Sequence, residues 1–141
     1  VADTELVVEE LQVTCTPVSV GNPHAVLFVD DIDKVPLTTL GPKLERHTAF
    51  PDGVNVEFVQ VLGNNALRMR VWERGSGVTM ACGTGACASV MAAISKNYCC
   101  YDAPVAVHLD GGTLVIRIAS DNTVTMTGPA EIVYEGETKL C

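Results

Sequence analysis

The sequence predicts an α+β domain, a curled or barrel-like sheet of mostly antiparallel strands around one buried central helix. Three observations lead there. Several short segments alternate apolar and polar residues with a period of two, which marks half-buried strands. One segment, Ala86-Cys-Ala-Ser-Val-Met-Ala-Ala-Ile94, is apolar on nearly every face, with Ser89 its only polar member. A helix of that kind has to be enclosed by protein. Finally, 141 residues without repeats, low-complexity tracts or linkers fit a single domain over 1–141, since domains run to roughly 100–200 residues.

The clearest strand spans residues 66–73, where Leu67, Met69 and Val71 alternate with Arg68, Arg70 and Trp72. Asn64-Asn65 is a turn signal, and the β-branched, apolar run 54–62 before it completes a hairpin. Further strands are predicted over 11–17, 25–29, 105–109, 114–118, 124–127 and 132–135, with turns at Gly111-Gly112 and Asp121-Asn122. Leu37, Leu40 and Leu44 recur at helical spacing within 35–50, where Gly41-Pro42 is expected to interrupt or restart the helix.

Composition narrows the function. Nine basic against seventeen acidic residues give a formal charge of −8, which argues against a sequence-independent hold on nucleic acid or an anionic membrane surface. Apolar residues at 48% and charged ones at 18% exclude disorder. No apolar run approaches the ~20 residues that span a bilayer. The chain begins at Val1, with no basic stretch leading into an apolar one, so no signal peptide is expected and the chain reads as a piece of something longer. Cys15, Cys82, Cys87, Cys99, Cys100 and Cys141 contain no C-x-x-C pair. We read them as reduced thiols in a cytoplasmic protein, with no metal site.

The buried helix is entered through Thr79-Met-Ala-Cys-Gly-Thr-Gly-Ala-Cys87. Gly83 and Gly85 clear side chains from the turn, so backbone N–H groups can face a ligand. A helix N-terminus favours an anion and lowers the pKa of a thiol placed there. Cys82 is therefore the candidate base or nucleophile, and Cys87, inside the helix, is core packing. Upstream, Arg74 has the fork to grip a carboxylate and Glu73 the charge to hold an ammonium; the bland alternative is a solvated hairpin end. In Gly21-Asn-Pro-His24, Asn22 and His24 are ligands or turn chemistry. Asn55 stands in a strand that otherwise wants apolar residues, and a buried Asn has to be satisfied by protein or by ligand. His47 and His108 read as surface or structural. The run Gly83-x-Gly85-x-x-Ala88, with Asp102 about 20 residues on, matches a dinucleotide fingerprint. That reading needs a strand entering the glycines and a parallel βαβ unit, and neither is expected, because 75–80 is poor strand material.

Taken together, Gly-Asn-Pro-His (21–24), Pro-Asp-Gly-Val-Asn-Val-Glu-Phe (51–58), Trp-Glu-Arg-Gly (72–75), Ala-Cys-Gly-Thr-Gly-Ala-Cys (81–87) and Met-Thr-Gly-Pro-Ala-Glu (126–131) resemble the diaminopimelate epimerase family. The resemblance runs in order from about Val18 to Glu137 and covers only the C-terminal half of that family's chain. It implies a two-domain enzyme, each domain a barrel-like sheet around a central helix, with the active site in the cleft between them. It further implies a cofactor-independent epimerisation of LL- to meso-diaminopimelate by two cysteines on opposite faces of Cα, one a thiolate base and one a thiol acid. By that resemblance Cys82 is the catalytic cysteine of this half. Asn22, Asn55, Glu73, Arg74, Gly83 and Thr84 are substrate-binding, and His24 and Glu73 tune the cysteine pKa values. The second cysteine belongs to the N-terminal half, so this chain alone is expected to be inactive. The face that meets the absent half is expected to be apolar enough for self-association. The alternatives are a proline or hydroxyproline racemase, which shares the Cys-Gly-Thr-Gly turn, a cysteine hydrolase built on Cys82 and His24, and a non-catalytic binding or assembly domain.

Overall fold

The fold is seen in a computed structural model that describes residues 3–79, 83–128, 132–137 and 139–140. In chain order the elements are β1 (Thr4–Val8), β2 (Leu11–Ser19), β3 (Pro23–Phe28), α1 (Leu37–Glu45), β4 (Asn55–Gly63), β5 (Ala66–Glu73), β6 (Gly77–Thr79), α2 (Gly83–Ser95), β7 (Pro104–Leu109), β8 (Gly112–Ile118), β9 (Thr123–Thr127), β10 (Ile132–Glu137) and β11 (Lys139–Leu140). The strands form one sheet in the order β1-β2-β3-β4-β5-β7-β8-β9-β10, with β6 on β5 and β11 on β2. The end of the chain thus ties β9, through β10, back towards β2.

Each strand expected from the sequence is present. The hairpin is β4–β5, antiparallel, with Asn65 at φ 56 in its turn, a backbone conformation that Asn tolerates well. Three strands were not anticipated. In β1, Leu6 and Val8 are buried while Glu5 and Val7 are exposed, so a period of two was there to be read. Strand β6 corrects the expectation for 75–80: Gly75-Ser-Gly77 masks the β-branched pair Val78-Thr79, and pairing with Val71–Glu73 makes Gly77–Thr79 a strand.

The connections are also corrected. Helices do alternate with strands, because β3 pairs in parallel with β4 across α1, and β5 pairs in parallel with β7 across α2. A strand flanked on both faces is buried at every position, as Val54 to Val59 are, the polar Asn55 and Glu57 included. Odd and even positions divide there. Ala25, Leu27, Val54, Val56 and Phe58 join Leu37 and Leu44 of α1 in one core. Val26, Val59, Leu67, Met69 and Val71 join α2 in a second core, which also takes Val18, Val105, Ile116, Ile118 and Val124 from the remaining strands. Every α2 residue from Gly85 to Ile94 is buried. Ser89 is satisfied there by donating to the Gly85 carbonyl at 2.8 Å and to Met69 Sδ at 3.1 Å.

Helix α1 runs unbroken through Gly41-Pro42, against the expectation of a break. A proline crowds the Cβ of the residue before it, and Gly41 has none. A Cβ on Gly41 would lie 2.6 Å from Trp72 Cγ, and the ring is anchored by Nε1 donating to Glu45 Oε1 at 2.8 Å. Gly41→Ala is therefore expected to destabilise the domain. Overpacking costs about 1–3 kcal/mol, which outweighs the gain of about 1 kcal/mol from better helix propensity. A lower denaturant midpoint with unchanged slope is the expected measurement. Among the described residues no helix is long and apolar enough to cross a membrane.

Candidate active site

The register gathers the sequence-selected residues at one end of the sheet. In the parallel β3–β4 pair His24 stands opposite Asn55, and β5, antiparallel to β4, ends nearby at Glu73. Helix α2 leaves the opposite end: the Cys100 N–H donates to Asn65 Oδ1, and Tyr98 packs edge-on against Phe28 at the far end of β3. Its 13 residues, about 20 Å at 1.5 Å each, carry its N-terminus back towards the His24 end. Gly83 and Thr84 form the first turn of α2 itself rather than a loop before it. A Cβ on Gly83 would lie 3.0 Å from Met126 Cε of β9, so glycine lets the helix start sit against that strand. Cys82, which immediately precedes this turn, lies outside the described residues.

By the period of two, His24, Asn55 and Glu57 point to the same side as Val26 and Val59, the side of α2. Polar groups therefore continue the interior α2 face to its end. His24 Nδ1 lies 2.9 Å and 3.0 Å from the two oxygens of Glu57, both side chains wholly buried. His24 Nε2 lies 3.0 Å from Asn22 Oδ1. Burial pushes the Glu57 carboxyl up, with His24 opposing the shift and Glu73 adding to it. Sequence reasoning assigned Glu57 no role; the available signal was a lone acid inside an apolar run. Asn55, also buried, is satisfied by protein: Nδ2 donates to the Pro23 carbonyl at 3.1 Å, and Oδ1 accepts from the Arg74 N–H at 2.8 Å. It ties the start of β3 to the turn after β5.

That turn holds the charged pair. Glu73 is half-buried and Arg74 exposed. The Arg74 guanidinium donates to the Asp52 carbonyl at 3.3 Å and lies along the Pro51-Asp52-Gly53 turn. Gly53, at φ +81, would bring a Cβ to 2.9 Å from Arg74 Cδ, so both conformation and space ask for glycine. His47 meets the Val7 carbonyl of β1 and His108 meets Thr113 of β8, both on exposed surface. Asp102 accepts from the N–H and hydroxyl of Ser120 in a turn, and the strand entering α2 is antiparallel to its neighbour, so the dinucleotide geometry is not reproduced. Among the described residues no group of three His, Cys, Asp or Glu side chains could hold a metal. Large exposed apolar side chains such as Val61, Leu62 and Tyr98 lie at the far end of β4 from Asn55.

Cys15 and Cys99 are poor bases. Cys15 is 1% exposed, and burial, aided by Asp3 and Glu5, pushes it up to about 11. Burial also raises Cys99, with Cys100 beside it adding to the shift. Cys87 is buried in α2, as expected for core packing. In the folded chain at neutral pH, iodoacetamide is expected to leave Cys15 and Cys99 unmodified, with peptide mapping as the check, because the thiolate is the reactive form.

A mixed sheet packed against α1 and around α2 defines a fold class already seen in solved structures. The fold matches a phenazine biosynthesis PhzF-family protein from Enterococcus faecalis with a TM-score of 0.61 at 13% identity, over 79% of this chain and 42% of that one. It matches a phenazine biosynthesis PhzC/PhzF protein from Clostridium difficile with a TM-score of 0.60 at 16% identity, over 82% and 43%. Within that class the chain belongs to the diaminopimelate epimerase family, whose sequence model matches residues 16–133. A diaminopimelate epimerase from Bacillus licheniformis is 57% identical over 122 residues, 86% of this chain and 43% of that protein. One from Bacillus cytotoxicus is 58% identical over 121 residues, 86% and 42%. The chain spans less than half the length of these relatives.

Proposed function

We propose that residues 1–141 are one domain, the Cys82-bearing half of a two-domain, cofactor-independent diaminopimelate epimerase. It interconverts LL- and meso-diaminopimelate, a precursor of lysine and peptidoglycan, in the cytoplasm. The observation that carries the reading is the convergence of Asn22, His24, Asn55, Glu73 and Arg74 at the end of the sheet where α2 begins. In this reading the sheet is a barrel wall around α2, supported by the burial of Gly85 to Ile94 and by the pairing of β11 with β2. The family match favours this substrate over proline or hydroxyproline, and the gathering of His24, Asn55 and Arg74 at one end of the sheet speaks against a purely assembly role.

The chemistry follows from the geometry. Removing the Cα proton leaves charge on the substrate carboxylate, which fixed dipoles have to meet. The first-turn N–H groups of α2, at Gly83 and Thr84, are such dipoles. Arg74 offers a carboxylate two parallel donors, and Glu73 balances an ammonium. Cys82, at the helix N-terminus, exchanges a proton with one face of Cα, while the second domain's cysteine serves the other. His24 and Glu73 tune the thiol through their charge. Cys82 is expected to be the first of the six thiols alkylated between mildly acidic and neutral pH. Earlier reaction of Cys15 or Cys87 would refute its assignment. Racemisation of L-proline by the two-domain enzyme, with no turnover of LL-diaminopimelate, would overturn the substrate.

A further inference from the structure

The Glu57–His24–Asn22 chain has a consequence beyond the reaction itself, although it rests on the reading of Asn22 as a substrate-binding residue. We infer that Glu57 is a positioning residue: through His24 it holds the carbonyl of Asn22 inward and turns the amide donors of Asn22 towards a substrate carboxylate.

The proton inventory of the three groups supports this. Asn22 Oδ1 can only accept, so His24 Nε2, 3.0 Å away, carries a hydrogen. Both Glu57 oxygens lie within 3.0 Å of Nδ1. If Glu57 is ionised it accepts from Nδ1–H; if it is protonated it donates to a bare Nδ1. In either state Nε2 keeps its hydrogen, and the ring presents the same face to Asn22. The pair is wholly buried, so no water competes for either nitrogen and the ring cannot turn without stranding a carboxyl group, a loss on the scale of a buried hydrogen bond to charge. With Oδ1 committed inward, the two N–H donors of Asn22, which is half-buried, are left for the outer side. Two donors on one nitrogen fit a carboxylate oxygen and repel an ammonium. A carboxyl group inside an apolar strand thereby acts on a ligand it never touches.

The first measurement is the ring-nitrogen spectrum of His24 in the 15N-labelled chain. Nε2 is expected to be protonated at neutral pH, and an unprotonated Nε2 would overturn the relay even if every variant misfolds. The second is steady-state kinetics of the two-domain enzyme carrying Glu57→Gln, alone and together with Asn22→Ala. Glu57→Gln is expected to raise KM for diaminopimelate about tenfold, the scale of one charge-assisted hydrogen bond, with a smaller change in kcat. In the Asn22→Ala background the same change is expected to move KM by less than about twofold, since residues acting through one contact are non-additive. Additive effects, or a fall in kcat with KM unchanged, would place Glu57 on the fold or on the thiol and overturn the inference. Absence of epimerisation by the unmodified enzyme would sink the functional reading instead, while the His24 spectrum would still decide the relay.

Discussion

Cys82→Ala in the two-domain enzyme is expected to abolish interconversion of LL- and meso-diaminopimelate. Acid–base assistance by one positioned group is worth about 10²–10⁴-fold. Both directions are lost together, because the thiol that removes the Cα proton from one stereoisomer is the one that protonates the carbanion formed from the other. Substrate affinity is expected to change far less, since Asn55 ties the turn that carries Arg74 to the start of β3. The measurement is a coupled assay of both directions alongside ligand binding by calorimetry. Interconversion within tenfold of the unmodified enzyme would remove Cys82 from the mechanism.

The second large effect concerns the chain by itself. The 141 residues are expected not to epimerise diaminopimelate at an appreciable rate. One thiol cannot reach both faces of a bound Cα, and without the opposing wall water enters the cleft and weakens every dipole aimed at the developing charge. Following exchange of the α-hydrogen for deuterium separates the possibilities. Slow exchange with retention of configuration fits a lone Cys82 working on one face. Full-rate interconversion by the purified chain would require a second base among these residues. The raised pKa values of Cys15 and Cys99 make neither thiol suitable.

The legible part of the site was the part carried by short motifs. Asn22, His24, Asn55, Glu73 and Arg74 were each selected because a turn, a polar residue in an apolar strand or a charged pair is visible within a few residues. Glu57 was not selected, although it stands two residues from Asn55. An acid inside an apolar strand was the local signal, but its partner, a histidine 33 residues away, is not a local property. Asn55 was legible as a polar residue in an apolar strand, but its partners, Pro23 before it in the chain and Arg74 after it, were not.

By itself the sequence determined the strand segments, the β4–β5 hairpin and the enclosed helix, because periodicity, turn residues and an all-apolar face are local properties. It also determined the family, through motifs that coincide in order. Only the tertiary structure decided which strands lie side by side: the parallel pairings of β3 with β4 and of β5 with β7, and the strand state of Gly77–Thr79. It likewise showed that α1 continues through Pro42 and that Trp72 fills the space beside Gly41. The physical reason is the same in each case. A residue's period is set by its neighbours in the chain, whereas its partner is set by which distant surfaces can be buried together without leaving a polar group unpaired.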